Sequence, residues 1–197
     1  MSLRFGLFTV FALFILGILV GAGFIMFIAR YSPATTQLPF LSEQQSPPPA
    51  SCPQVTPIFS PNGEDEVISL ISSASSTLDL EVYAFSYELL ADELIKAKER
   101  GIAVRVLLEP SLSGNNPNLA TAETLRDGGV EVRWADPSRT NHAKFLIIDG
   151  RRVLVGSHNW SWHAMNTNRE ASLLVEDSAT VREFEDAFEK DWMAAYS

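Results

Sequence analysis

Residues Asn141–Glu170 read NHAKFLIIDGRRVLVGSHNWSWHAMNTNRE. Two short apolar runs, Lys144–Ile148 (KFLII) and Arg152–Val155 (RVLV), flank Asp149-Gly150. β-Prone runs joined by Asp-Gly predict a hairpin. The chain has three histidines, His142, His158 and His163, and all lie in this stretch. Residues two apart on a strand share a face, so His142 and Lys144 should project together. An imidazole beside an ammonium is a poor structural pair, because the two repel when both are charged. The pair suits an anion held between them, and it equally suits a strand end with two solvated polar residues.

On either side of this hairpin the pattern alternates. Glu64–Ser73 has apolar residues at helical spacing, and Thr77–Phe85 (TLDLEVYAF) alternates as a strand does, with Leu78, Leu80 and Val82 on one face. Tyr87–Arg100 reads as an amphipathic helix, with Gly101 where a C-terminal cap belongs. Strands are predicted at Ile102–Leu108, Val130–Trp134 and Ala171–Val175, and a short helix at Leu119–Arg126, ended by Gly128-Gly129. Ser178–Ala194 reads as a closing helix with Ser178 as its N-cap. Strands alternating with helices predict an α/β sandwich.

The amino-terminal part is different. Phe5–Ala29 contains no charged residue and is bracketed by Arg4 and Arg30. A helix crosses a bilayer core with about 20 apolar residues, and the apolar region of a cleaved signal is usually about 7–15 residues. Residues 1–30 are therefore expected to be a single-pass transmembrane anchor. Arg30 is followed by no charge until Glu43. The positive-inside bias then leans slightly toward a catalytic domain on the extracytoplasmic side. Residues 31–57 are rich in proline, serine and glutamine, which predicts a semi-extended linker with neither helix nor sheet. The lone cysteine, Cys52, lies in it, so no intrachain disulfide can form. Residues 58–197 remain for one catalytic domain, enough for a single core.

Gly156-Ser157-His158-Asn159 follows the second strand of the hairpin. Glycine permits close backbone approach, and serine and asparagine are neutral hydrogen-bonding groups of the kind that stabilise a developing negative charge. Glu170 follows, and a carboxylate can hold a histidine tautomer.

The spacing His142-x-Lys144-x4-Asp149-x6-Gly156-Ser157-x-Asn159 resembles the signature of the phospholipase D superfamily. Asn168-Arg169-Glu170 is similar to the family's downstream carboxylate segment, and LDLEVYAFS and RGIAVRVLL are similar to the strands that precede the signature. Single-motif members, both bacterial nucleases and a membrane-anchored mitochondrial branch, resemble this chain best. The resemblance implies a mixed central sheet flanked by helices. It also implies attack on a phosphodiester by His142 through a covalent phosphohistidine. Lys144, Ser157 and Asn159 would bind the phosphate oxygens and Glu170 would orient His142. Asp149 belongs to the signature, but its place in the turn suggests a structural or hydrogen-bonding role. No cofactor and no metal would be needed. The second histidine that the chemistry needs would come from a second copy of the chain, in a homodimer with one shared active site.

Other chemistries fit less well. The three histidines lack a familiar zinc-ligand spacing, and GSHN lacks the glycine-flanked elbow of a serine nucleophile. Trp160 and Trp162 suit base stacking or packing beneath the site. The formal charge of -9 and pI near 4.8 disfavour tight nonspecific nucleic-acid binding. Within Arg133–Arg169, however, six basic residues stand against Asp136 and Asp149. This local excess suits a polyanion or an anionic headgroup. Nucleic acid is the expected substrate, with membrane phospholipid as the alternative.

Overall fold

The computed structural model describes residues 54–112 and 116–197. The strands are β1 (Val55–Phe59), β2 (Thr77–Val82), β3 (Ala103–Leu108), β4 (Glu131–Trp134), β5 (Lys144–Ile148), β6 (Arg152–Gly156) and β7 (Ala171–Val175). The helices are α1 (Glu64–Ser72), α2 (Glu88–Glu99), α3 (Asn118–Asp127), α4 (Trp162–Asn166) and α5 (Ser178–Ala194). The strands form one sheet in the order β1-β7-β6-β5-β2-β3-β4. β2, β3 and β4 are parallel, and the remaining pairs are antiparallel. This is a mixed sheet flanked by helices, as the α/β reading expects.

Each helix is set by its apolar stripe and its ends. α1 buries Val67, Leu70 and Ile71 and places Glu64, Asp65 and Glu66 in its first turn, where carboxylates favour the helix dipole. α2 buries Leu90, Ala91, Leu94 and Ala97. It stops at Gly101, whose φ of 93° suits glycine, and there Gly101 N–H donates to Lys98 O and Ile102 N–H to Ala97 O. Gly129, with φ 79°, ends α3 in the same way. These helices pack with Leu78, Leu80, Val82, Val104, Val106, Leu146 and Ile148 in one core. The opposite face of the sheet supplies Leu107, Phe145, Ile147 and Val153 to a second core beneath Phe188 and Trp192 of α5.

Several boundaries differ from expectation. Val55–Pro57, read from sequence as linker without sheet, pair with Val175–Leu173 in β1. Proline is tolerated there because β1 is an edge strand. α5 is capped by Asp177, which accepts from Thr180 N at 2.8 Å, and Ser178 is its first helical residue. α4 was not expected; Ser161 caps it by accepting from Ala164 N at 3.2 Å. The apolar run 5–29, Cys52 and most of the linker lie outside the described residues. Among the described residues no helix is long and apolar enough to cross a membrane.

Strand direction positions the site. The ends of β1, β2, β3, β4 and β6 and the starts of β5 and β7 share one end of the sheet. His142, Lys144, Ser157, Asn159 and Glu170 all belong to those termini or to the residues that adjoin them.

Candidate active site

His142 immediately precedes β5, and the backbone around it is pinned on both sides. Asn141 N–H donates to Glu109 Oε2 at 2.6 Å, and Ala143 O accepts from Tyr83 N–H at 2.9 Å. Glu109 is itself buried at the end of β3 and accepts from Ser111 N–H at 2.8 Å. Asn118 ties the same ends together: its amide donates to Tyr83 O and Glu109 O, each at 2.9 Å, and its Oδ1 accepts from Phe85 N–H at 2.7 Å. The imidazole remains exposed, with its ring 4.4 Å from that of Tyr83.

Lys144 shares the face of His142, as the strand period predicts. Its Nζ is 3.2 Å from His142 Nδ1, donates to His142 O at 3.0 Å, and lies 5.2 Å from the Tyr83 ring centroid. An ammonium can donate to Nδ1 of a neutral imidazole but not to an imidazolium, which carries hydrogen on both nitrogens. Burial lowers the Lys144 pKa, and the charge of Glu170 opposes the shift. A half-desolvated ammonium at the site end of the sheet is suited to an anion.

The end of β6 supplies the facing groups. A Cβ on Gly156 would come within 2.4 Å of Ala171 O and of the Ser172 backbone, so only glycine permits this pairing with β7. Ser157 Oγ donates to Glu170 Oε2 and accepts from Ala171 N–H at 3.1 Å. Asn168 Nδ2 donates to Glu170 Oε1 at 3.1 Å. Within one chain the Glu170 carboxylate is thus engaged by Ser157 and Asn168, with no direct bond to His142. Asn159 Oδ1 is buried without a hydrogen-bond partner. Trp160 packs in the core edge-on to Phe85, at 5.1 Å between centroids.

The other candidates lie elsewhere. His158 is buried between two serines, with Nε2 2.7 Å from Ser60 Oγ and Nδ1 2.7 Å from Ser172 Oγ. Burial lowers its pKa against the pull of Glu170. With both nitrogens engaged, it fastens the exit of β1 to β7. His163 is exposed on α4 against Trp162. Asp149 lies at the opposite end of the β5–β6 hairpin, about seven strand residues from His142 or roughly 20 Å at strand rise. It accepts there from the backbone N–H groups of Ser75, Ser76 and Thr77 and from both serine hydroxyls, at 2.7–3.0 Å. Partial burial acts to raise its pKa, but these N–H donors win and hold it well below the usual carboxylate range.

Folding also disperses the basic run. Arg151 and Arg152 lie with Asp149 at the far end, where Arg152 donates to Ser73 Oγ at 2.8 Å. Arg139 is paired with Asp191, and Arg133 is held by Glu131 and by Trp192 O. What adjoins His142 is instead a cavity of about 200 Å³ lined by Glu81, Asp136, Arg139, Asn141 and Asp191. Glu81 is 3% exposed. Burial, and then the charge of Asp191, push its pKa up to about 8 against the opposing influence of Arg139 and Asn141. Nothing in the sequence signals Glu81, because an acidic residue alternating with leucines reads as a solvated strand face.

Comparison with known proteins places the chain in a family. A family model described as "Cardiolipin synthase, PLD-like domain" matches residues 67–192. Mitochondrial cardiolipin hydrolase of Homo sapiens is 34% identical over 149 residues, covering 73% of this chain and 57% of that protein. A 5'-3' exonuclease of Xenopus tropicalis is 27% identical over 146 residues, covering 64% of this chain and 29% of that protein. Among solved structures, the phospholipase D family member Nuc from Salmonella typhimurium superposes with a TM-score of 0.68 at 22% identity, covering 73% of this chain and 97% of that one. The chain spans 57–65% of the length of the first three cardiolipin hydrolases it matches. With its mixed sheet and the match over residues 67–192, the chain belongs to the phospholipase D superfamily.

Proposed function

We propose that this chain is a phosphodiester hydrolase that works through His142 without a metal. One observation carries the reading: His142 and Lys144 project together at the start of β5, with Lys144 Nζ 3.2 Å from Nδ1, at the sheet end that also holds Ser157, Asn159 and Glu170. In this reading a His142 nitrogen attacks phosphorus as the bond to the leaving alcohol breaks, giving a phosphohistidine. Lys144 and Asn159 stabilise the charge on the phosphoryl oxygens. A proton goes to the departing oxygen from a second acid; water then attacks phosphorus, giving its proton back to that group, and the P–N bond breaks to release the phosphate monoester and restore the imidazole.

Protonating the leaving group calls for a second histidine at the phosphate. His158 is buried with both nitrogens engaged, and His163 lies on α4 against Trp162. This supports a homodimer in which His142 of each copy serves one shared site on the twofold axis. The exposed Phe59, Trp162 and Leu173, on elements bordering this end of the sheet, offer apolar surface to a second copy. The apolar run 5–29 would tether the enzyme to a membrane as a single-pass protein, with its catalytic domain on the extracytoplasmic side.

For substrate, the dispersed arginines and the carboxylates beside His142 favour a phospholipid over a nucleic-acid strand, whose binding rests on a continuous row of cations. That reverses the order suggested by the resemblance to single-motif nucleases. The 34% identity to a cardiolipin hydrolase supports the same choice. The test is an assay of the full chain, with excess EDTA, on cardiolipin vesicles, phosphatidylcholine vesicles, single-stranded DNA and RNA. Phosphatidic acid release, absent from His142→Ala, is expected. Faster cleavage of nucleic acid than of lipid would reverse the substrate reading. Activity lost with chelator and restored by magnesium or zinc would overturn the mechanism.

A further inference from the structure

The cavity beside His142 has a chemical character of its own. Glu81 reaches it from β2, on the sheet face covered by α5. Its Oε2 is buried and has no hydrogen-bond partner. Asn141 reaches it from the residue before His142. Its Oδ1 accepts from Ala143 N–H at 3.1 Å, so Nδ2 is the end turned toward Glu81; it acts on the Glu81 pKa, but no hydrogen bond closes between the two, and Nδ2 too is buried without a partner. The remaining charged groups on the cavity are committed: Arg139 to Asp191, and Asp136 to the backbone and hydroxyl of Ser138, each at 2.9 Å.

A buried polar atom without a partner costs roughly 1–3 kcal/mol. Here an unpaired donor and an unpaired carboxyl oxygen line one cavity, and that combination selects the ligand. An ammonium group has only hydrogens to offer, so it would leave Asn141 Nδ2 unsatisfied and be repelled by Arg139. A phosphate oxygen could accept from Asn141 Nδ2, but it carries charge and would meet the carboxylates of Asp136 and Asp191 on the same cavity. A hydroxyl donates and accepts at once, so it satisfies both groups. Burial keeps Glu81 largely protonated at neutral pH, which suits a neutral ligand. The volume of about 200 Å³ exceeds the roughly 30 Å³ of one water several times over, so it admits a group of several heavy atoms.

We propose that Glu81 and Asn141 form a subsite for a free hydroxyl on the substrate alcohol, carried by the carbon next to the one esterified to the scissile phosphate. The inference rests on the phosphodiesterase reading, since it is His142 that places the cavity beside the phosphate. A glycerol headgroup carries such a hydroxyl, and so does a ribose esterified at its 3′ oxygen. The shared feature is the vicinal hydroxyl, and the glycerol source agrees with the phospholipid reading. Glu81 and Asn141 then determine specificity without taking part in bond breaking.

The test measures binding, so it does not depend on turnover. Dissociation constants of the full chain are measured by calorimetry for glycerol 3-phosphate against propyl phosphate. A second arm uses uridine 3′-phosphate against its 2′-deoxy counterpart. The hydroxylated ligand of at least one pair should bind about tenfold more tightly, the worth of one hydrogen bond to a buried group. The preference should fall to about unity in Glu81→Met and in Asn141→Leu, with affinity for the ligands lacking the hydroxyl unchanged. Glu81→Gln, which keeps an acceptor and the shape, should retain most of it. Preference in the glycerol arm alone assigns the subsite to a lipid headgroup, and preference in the ribose arm alone assigns it to RNA. Equal affinities in both arms, or a preference that survives Glu81→Met, would overturn the proposal and leave the cavity a place for water. Hydroxyl preference in a chain that cleaves no diester would refute the phosphodiesterase reading while the subsite stands; cleavage without preference would do the reverse.

Discussion

The two ends of the β5–β6 hairpin are built from the same short stretch and have opposite character. At the turn, Asp149 and Gly150 adopt positive φ, 56° and 61°, and the Asp149 carboxylate accepts from three backbone N–H groups and two hydroxyls. At the other end, Asn159 Oδ1, Asn141 Nδ2 and Glu81 Oε2 are buried without partners, and Lys144 is partly desolvated beside an exposed His142. Folding therefore satisfies polar groups at the end that anchors the hairpin to the start of β2. It leaves them unsatisfied at the end that, on the proposed function, receives the substrate, because groups already paired to one another have no capacity for a ligand. Asp149, a signature residue, thus serves to hold the fold at the end of the hairpin opposite His142.

Substitutions can break this contrast. His142→Ala should abolish turnover, and Lys144→Ala should reduce kcat on the order of 10²-fold or more, as for loss of a charge aimed at the transition state. Circular dichroism should show both variants folded. A Lys144→Ala enzyme with unchanged kcat would remove that residue from the site. Asp149→Ala should do the converse. Losing hydrogen bonds to a charged group should destabilise the chain by about 2–3 kcal/mol in denaturant melts, with kcat per folded molecule nearly unchanged. Asp149→Asn should cost less, because asparagine tolerates the positive φ. A large fall in kcat for a folded Asp149→Ala chain would erase the distinction between the two ends.

The pH dependence of stability separates the ends as well. Glu81 ionises less readily in the folded chain than in the unfolded one, so its contribution to stability is lost as pH rises from the ordinary carboxylate range to about 8. Asp149 is held low, so its contribution is present above the ordinary value and is lost as pH falls through the acid range. Relative to wild type, Glu81→Gln should gain stability between pH 5 and pH 9, by a few kcal/mol at most at about 1.4 kcal/mol per pKa unit. Thermal melts at the two pH values check this, and an unchanged difference would mean that Glu81 is solvated. The smallest effect concerns the shared site. In an equal, freely exchanging mixture of wild-type and His142→Ala chains, a site built from both copies should keep about a quarter of full activity, against about half for independent sites.

Much of this was legible in the residues. Periodicity places four of the five helices and most strands, because apolar spacing is a local property. The hairpin followed from Asp149-Gly150, and the common face of His142 and Lys144 from the period of two. β1 escapes the sequence because Pro57, next to a proline-rich run, reads as linker, and only pairing with β7 along the sheet edge makes it a strand. α4 was missed because a five-residue helix has too few turns to show a period.

The family, the common face of His142 and Lys144, and the turn at Asp149 can all be read from the residues, because they rest on contacts between residues close in the chain or on fixed spacing. Tertiary structure alone decided the rest. Alternation places Asp79 and Glu81 on the face away from Leu78 and Leu80, but it does not say what covers that face. Here α5, about a hundred residues later, covers both; Asp79 finds a partner in Arg105 of the neighbouring β3 at 2.6 Å, and Glu81 Oε2 is left without one. Likewise, a count of arginines along Arg133–Arg169 cannot reveal that the antiparallel hairpin carries two of them to the far end and that α5 neutralises a third. Charge is a property of a surface, and the surface exists only once strands distant in sequence have been brought side by side.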